Sequence, residues 1–322
     1  MNIAAVLSVA VTISALVGSQ TFAQSANANV LKVSPVRSDV EIKPGESKEV
    51  KTTVTNLTDA PITVSPVQND FVAGDESGSP ALILDENKFA PTHSLKRFMK
   101  PVGNVTIPAK KSKDIMVTIA VPVQAQAGGY FGAIRFVPVT SEGNRQVNLS
   151  ASAASLILLT VPGNIVEKLD MTKFEIQQGG KEGSFFQSSN DLQAAFRFEN
   201  KGGAQIGPFG KIVVTQNGNI VSQEDFNTET PRDVILPDSA RAWEVPLKNI
   251  GSFGNYTVTA TFSYGTKNQT IEVAKSFWVV PQFVIIATIV LILVIVGVII
   301  GIWLFMRNYK NRVNRSRVGF RR

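Results

Sequence analysis

Asn255-Tyr256-Thr257-Val258-Thr259-Ala260-Thr261-Phe262-Ser263-Tyr264 alternates apolar and polar side chains without a break. In an extended chain successive side chains point to opposite faces, so this stretch is a strand with Tyr256, Val258, Ala260, Phe262 and Tyr264 on a core face and Thr257, Thr259, Thr261 and Ser263 in water. The same alternation places Ile115, Val117, Ile119 and Val121 on one face of another strand. Between about residues 29 and 278 the chain is rich in Val, Thr, Ile and Phe and punctuated by Gly, Pro and Asn, which predicts an all-β region.

Turn chemistry agrees. Asn217-Gly218 lies between two extended stretches, 211–216 and 219–223, and both residues accept the positive φ that a tight hairpin demands. Pro44-Gly45 reads as a second turn. Leu156–Val161 is too short to cross a bilayer and is expected as a strand buried on both faces, or one at a junction between domains. The length accommodates two immunoglobulin-like β-sandwiches in tandem, residues 29–164 and 165–278.

The ends of the chain differ from this middle. Phe283–Met306 is an uninterrupted apolar run, and a helix over 282–306 rises about 35 Å, enough for the roughly 30 Å hydrocarbon core. After it come Arg307, Lys310, Arg312, Arg315, Arg317, Arg321 and Arg322 with no acidic residue, a basic tail over 307–322 that belongs on the cytoplasmic side. Trp278 on the outer side and Trp303 and Tyr309 on the inner side are expected at the two membrane interfaces, and Gly297 and Gly301 form a GxxxG through which two helices could pair as a homodimer. At the other end, the apolar run Ile3–Val17 followed by Thr21-Phe22-Ala23 reads as a signal peptide over 1–23; left uncleaved, it would make a second span with the middle still outside. The expected placement is a single-pass protein of the cell membrane, N-terminus outside and C-terminus cytoplasmic.

The chain carries 32 Lys and Arg against 25 Asp and Glu, and the tail supplies seven of the basic residues and none of the acidic ones. The remainder is balanced, so the excess speaks for anionic lipid rather than nucleic acid. There is no cysteine, which excludes disulfide staples, thiolate nucleophiles and cysteine zinc sites. One histidine, His93, cannot make a catalytic triad, and the carboxylate pairs Asp75-Glu76, Asp85-Glu86 and Glu224-Asp225 lack calcium-loop spacing. No enzyme activity, metal or cofactor is expected.

Two stretches remain as candidates for binding. The segment from Asn69 to Gly103 is long for a loop, and Phe89, Leu95, Phe98 and Met99 predict that it is ordered on the sandwich; Arg97 and Phe98 are its candidate ligand contacts. In Gly129–Val137, alternation sets Tyr130, Gly132, Ile134 and Phe136 against Phe131, Ala133, Arg135 and Val137. One set is core; Tyr130 and Arg135 are the candidates for meeting a glycan or peptide, with Gly132 permitting close approach, and a plain core strand with one solvated arginine is the competing reading.

Pro44-Gly45-Glu46-Ser47, then Val54–Ile62 with Asn56 closing its strand, and Gly128–Phe136 together resemble the first domain of the WxL-interacting surface proteins of Gram-positive bacteria. The layout of signal peptide, two sandwiches, one helix and short basic tail resembles that family end to end. The resemblance implies a first domain that binds peptidoglycan and a second that binds host or partner proteins. The expected function is a non-enzymatic surface binding or adhesion module for cell wall or surface protein; the alternative is a membrane-tethered assembly chaperone that adds a β-strand to secreted or pilus-like subunits.

Overall fold

The computed structural model describes residues 30–139 and 152–318, with side chains to Asn308. The signal peptide expected over 1–23 lies outside the described residues, as does the end of the basic tail; the Tyr309 side chain is likewise not described.

The first sandwich contains β1 (Leu31–Ser34), β2 (Arg37–Glu41), β3 (Ser47–Asn56), β4 (Ile62–Ala73), β5 (Pro80–Leu82), β6 (Val105–Ile107), β7 (Ser112–Ala120), β8 (Gly128–Pro138) and β9 (Ala153–Val161). One sheet has the order β1-β3-β7, and the other β2-β9-β8-β4-β5, with β6 also on β4. A cis Ser34–Pro35 bond separates β1 from β2, where the chain changes sheet. The core is aliphatic: Val54, Val64, Ile107, Val117, Ile119, Ile134, Ile157 and Leu159 are fully buried. Ile115, Val117 and Ile119 are thus the core face of β7, and Val121, just past its end, is buried with them.

The second sandwich contains β10 (Leu169–Gln178), β11 (Lys181–Glu182), β12 (Phe185–Phe186), β13 (Leu192–Asn200), β14 (Phe209–Gln216), β15 (Asn219–Phe226), β16 (Ser239–Pro246), β17 (Gly254–Tyr264) and β18 (Gln269–Val279). Its sheets run β11-β10-β13-β16 and β12-β18-β17-β14-β15. The stretch 255–264 is all of β17 but its first residue, alternately buried as its sequence requires. Asn217 and Gly218, at φ 50° and 81°, turn the β14–β15 hairpin. Here the core is aromatic: Phe196, Phe198, Phe226 and Phe262 meet edge to face or tilted with ring centroids 4.9–6.5 Å apart.

The sandwiches are docked. Phe71, Phe131, Ala133 and Leu158 on the outer face of the β9-β8-β4 sheet pack with Leu156 and Leu82 against Val234 and Leu236 of the second sandwich. The Gly129 N–H donates to the Gly203 carbonyl (2.9 Å), Ala242 N–H to the Glu76 carbonyl (2.8 Å), and Arg197 bridges the Glu76 carboxylate at 2.7 Å. Leu156–Val161 therefore fulfils both of its expectations, a strand covered on both faces that lies at the junction.

From Gln282 the chain enters α1 (Gln282–Val318). Residues 282–308 form a helix long and apolar enough to span a membrane, with none of that apolar stretch covered by protein. A helix apolar all round and uncovered is matched to lipid, which fits a single-pass anchor. Trp303 is exposed with the Arg307 guanidinium 5.4 Å above its ring, and a Cβ on Gly297 or Gly301 would meet no neighbour.

An aromatic and cationic platform on the first sandwich

The segment after β5 is held by a buried carboxylate. Asp70, fully buried near the end of β4, accepts from Ala90 N–H (2.9 Å), Ser94 Oγ–H (2.6 Å) and Lys96 N–H (2.8 Å). These bonds wrap residues 88–98 against the open side of the sandwich. Leu95 becomes fully buried on Gly132, where an added Cβ would stand 3.0 Å from Leu95 and 3.3 Å from the Asn69 carbonyl. Gly132 does permit a close approach; what approaches is this chain's own segment.

A short 3-10 turn, Lys96–Phe98, follows, and Lys100 N–H donates to Thr118 O (2.9 Å) on the edge of β7. The Phe131 N–H donates to the His93 carbonyl (2.8 Å) on the other sheet. The segment is ordered on the sandwich, as its apolar residues predicted, and it straps one sheet to the other.

The turn sets Arg97 in solvent and Lys96 half-buried, while Phe98 packs at the rim of the aliphatic core. The Lys96 ammonium and the Arg97 guanidinium each lie 4.9 Å from the centre of the exposed Phe89 ring. Lys96 Nζ also donates to the carbonyls of Glu86 (2.6 Å) and Lys88 (3.1 Å). Phe98 packs on Tyr130 at 4.8 Å, and His93 meets the same ring edge-on at 6.4 Å while its Nδ1 lies 2.6 Å from the Gly129 carbonyl. Tyr130 Oη–H donates to the Gln126 carbonyl (2.9 Å), and burial pushes its phenol pKa up, which keeps it a donor. Beside Lys96, a groove of about 260 Å3 runs between Pro66–Gln68 of β4 and Pro101–Val102.

Three of the four candidate contacts, Arg97, Phe98 and Tyr130, therefore come together. The fourth does not. Arg135 sits on the opposite face of β8, only 6% exposed, with Nε donating to Asn69 Oδ1 (3.2 Å). It is neither a ligand contact on the platform nor a solvated arginine, because β8 is covered on both faces. Phe89, Lys96 and the organising Asp70 are not among the candidates; an acidic residue followed by Phe71 and Val72 late in an extended stretch is the available signal.

Elsewhere, a cavity of about 250 Å3 lies in the seam between the sandwiches, lined by Phe71, Leu156, Leu158 and Leu236. Its arginines are already engaged, Arg37 with Asp39 and Arg241 with Asp233, each at 2.7 Å. Among the described residues no group of three or more His, Cys, Asp or Glu could hold a metal ion. Strand β9 is flanked on both sides, by β8 over its whole length and by β2 at Leu156–Thr160.

The fold is two immunoglobulin-like sandwiches followed by one apolar helix whose length fits a single-pass membrane anchor. Residues 38–137, which hold most of the first sandwich and the whole platform, match the family model described as WxL Interacting Protein, peptidoglycan binding domain. This match bears out the resemblance to the WxL-interacting family, and the matched family is one of binding domains. No curated protein matches the chain. Among solved structures, it is similar to the class 5 fimbriae chaperone CfaA (13% identity over 77% of this chain and 98% of that one, TM-score 0.38) and to the E. coli chaperone DraB (16%, 78% and 96%, TM-score 0.31). The Pseudomonas aeruginosa CupB2 chaperone is similar at 10% identity over 74% and 97%, TM-score 0.30.

Proposed function

We propose that the protein is a non-enzymatic cell-surface module that binds peptidoglycan through the platform formed by Phe89, Lys96, Arg97, Phe98 and Tyr130. It would stand outside a single-pass anchor with its basic tail in the cytoplasm, its domains dividing in the connection between Val161 and Leu169. Sugar rings stack on aromatic faces, and the carboxylates of muramyl and stem-peptide groups suit exposed cations. The observation that carries the reading is the convergence of these side chains within the segment matched by the peptidoglycan-binding family. Strand donation, the alternative, calls for an open edge; β9 is paired on both sides while β1 and β7 are edge strands, so it is the match to a peptidoglycan-binding family that favours wall binding.

Trp278, Trp303 and Tyr309 are assigned to the membrane interfaces, and Gly297 and Gly301 to helix pairing. The functional test is co-sedimentation of the full chain, held in nanodiscs, with purified wall sacculi at low and high salt. Pelleting that survives salt is expected, since stacking is not screened as exposed charge is. A chain that stays in the supernatant at both salts contradicts the proposal.

A further inference from the structure

The end of the second sandwich from which the helix leaves is unlike the rest of its surface. Only Val280 and Pro281 separate β18 from α1, a link that reaches at most about 10 Å. Across this end the strands lie in register, Phe185 beside Trp278 and Gly254 beside Val279. Phe185 is 71% exposed, Phe253 55% and Trp278 40%. Ile220, at 64%, follows the Asn217–Gly218 turn, and Gln216 of the same hairpin donates from Nε2 to the Phe253 carbonyl (3.1 Å). Among residues 165–280 the one other large apolar side chain exposed in this way is Val166, at the opposite end beside Gly203.

We propose that this end is a membrane-docking face: Phe185, Ile220, Phe253 and Trp278 enter the headgroup and upper acyl region of the bilayer that α1 crosses. Soluble surfaces rarely gather such side chains, and aromatic rings with an apolar body partition to the membrane interface. The two-residue link keeps the face within reach of the bilayer, and the face continues the apolar surface of the helix itself. The second sandwich is then seated rather than hung. Because the first sandwich is docked on it, the platform is held at a set height and direction above the membrane.

The chain has no cysteine, so single labels can be placed in the full protein. Phe185→Cys, Ile220→Cys, Phe253→Cys, Val166→Cys and Ile295→Cys, each carrying a bimane, are reconstituted into phosphatidylcholine and phosphatidylglycerol vesicles, with and without lipid bearing a nitroxide at acyl carbon 5. Labels at 185, 220 and 253 should be quenched about threefold more than the label at 166. If they behave like the label at 166 while Ile295→Cys is quenched, the face does not touch lipid and the inference is overturned, whether water or a second copy covers it. If Ile295→Cys is also unquenched, it is the spanning helix that fails. Trp278 gives a check without a label: in a chain carrying Trp243→Phe and Trp303→Phe, its emission should be quenched by the same lipid, and emission unaffected by it contradicts the docking.

Discussion

The two sandwiches share a layout and spend their aromatic residues differently. In the second, Phe196, Phe198, Phe226, Phe262 and Trp243 interlock inside, and the exposed rings are confined to the helix end. In the first, the inside is built mainly from Val, Ile and Leu; Phe89 is exposed on the segment that straps the sheets together, and Phe98 of that segment packs with Tyr130 of β8, half-buried at the rim of the core. The rings of one sandwich fill its core; in the other, Phe89, Phe98 and Tyr130 lie at the rim, where the proposed ligand would meet them.

This contrast can be broken first in the cores. Phe262→Ala removes a ring that touches Phe196, Phe198 and Phe226, and should cost the second sandwich about 4 kcal/mol, with Ile119→Ala costing the first about 3. Amide hydrogen exchange of each sandwich's strands reads the two effects separately. An equal loss of protection in both sandwiches from either substitution would show that they unfold as one unit.

Next comes the carboxylate that builds the platform. Asp70→Ala leaves the amides of Ala90 and Lys96 and the Ser94 hydroxyl without their acceptor, a local cost of about 3 kcal/mol. Exchange should rise at residues 88–98 and wall binding should fall, while β17 remains protected. Retained wall binding with a loosened segment would separate the ligand from the platform.

The smallest effect concerns the seam. The Arg197 guanidinium hydrogen-bonded to Glu76 holds its carboxyl pKa below the usual 4.5. A depressed carboxylate pKa means that the contribution to docking is present above 4.5 and is lost as pH falls through the lowered folded value. The pair is half exposed, so only a modest rise in exchange around Glu76 and Ala242 is expected on acidification below 4.5, absent in Glu76→Gln. No difference between the two chains would remove the ion pair from the account of the seam.

Much of this fold was legible because it rests on local pattern. Period-two alternation gave β7 and β17, Asn217-Gly218 gave a hairpin, and the length of the apolar run gave α1. The platform was only partly so: Phe98, Arg97 and Tyr130 are visible as unusual residues, but their meeting depends on Asp70 reaching residues some two dozen positions away. Arg135 shows the limit. Alternation sorts side chains onto two faces without saying that both are covered, and β8 lies between the aliphatic core on one side and the seam-side packing on the other. The docking of Gly129 onto Gly203 left no local trace in the sequence, since it joins the start of β8 to the connection after β13 by a backbone hydrogen bond.

The central claim is that the displayed rings and cation of the first sandwich bind the wall. Its most direct test is sacculus co-sedimentation of the full chain in nanodiscs against Phe89→Ala, Arg97→Ala and Phe98→Ala, singly and together. Each loss should weaken binding about three- to tenfold, and the triple variant should remain in the supernatant while still folded, its unfolding transition lowered by the loss of the Phe98 ring from the rim of the core. Undiminished pelleting of a folded triple variant would contradict the account and move the wall-binding site elsewhere on the molecule.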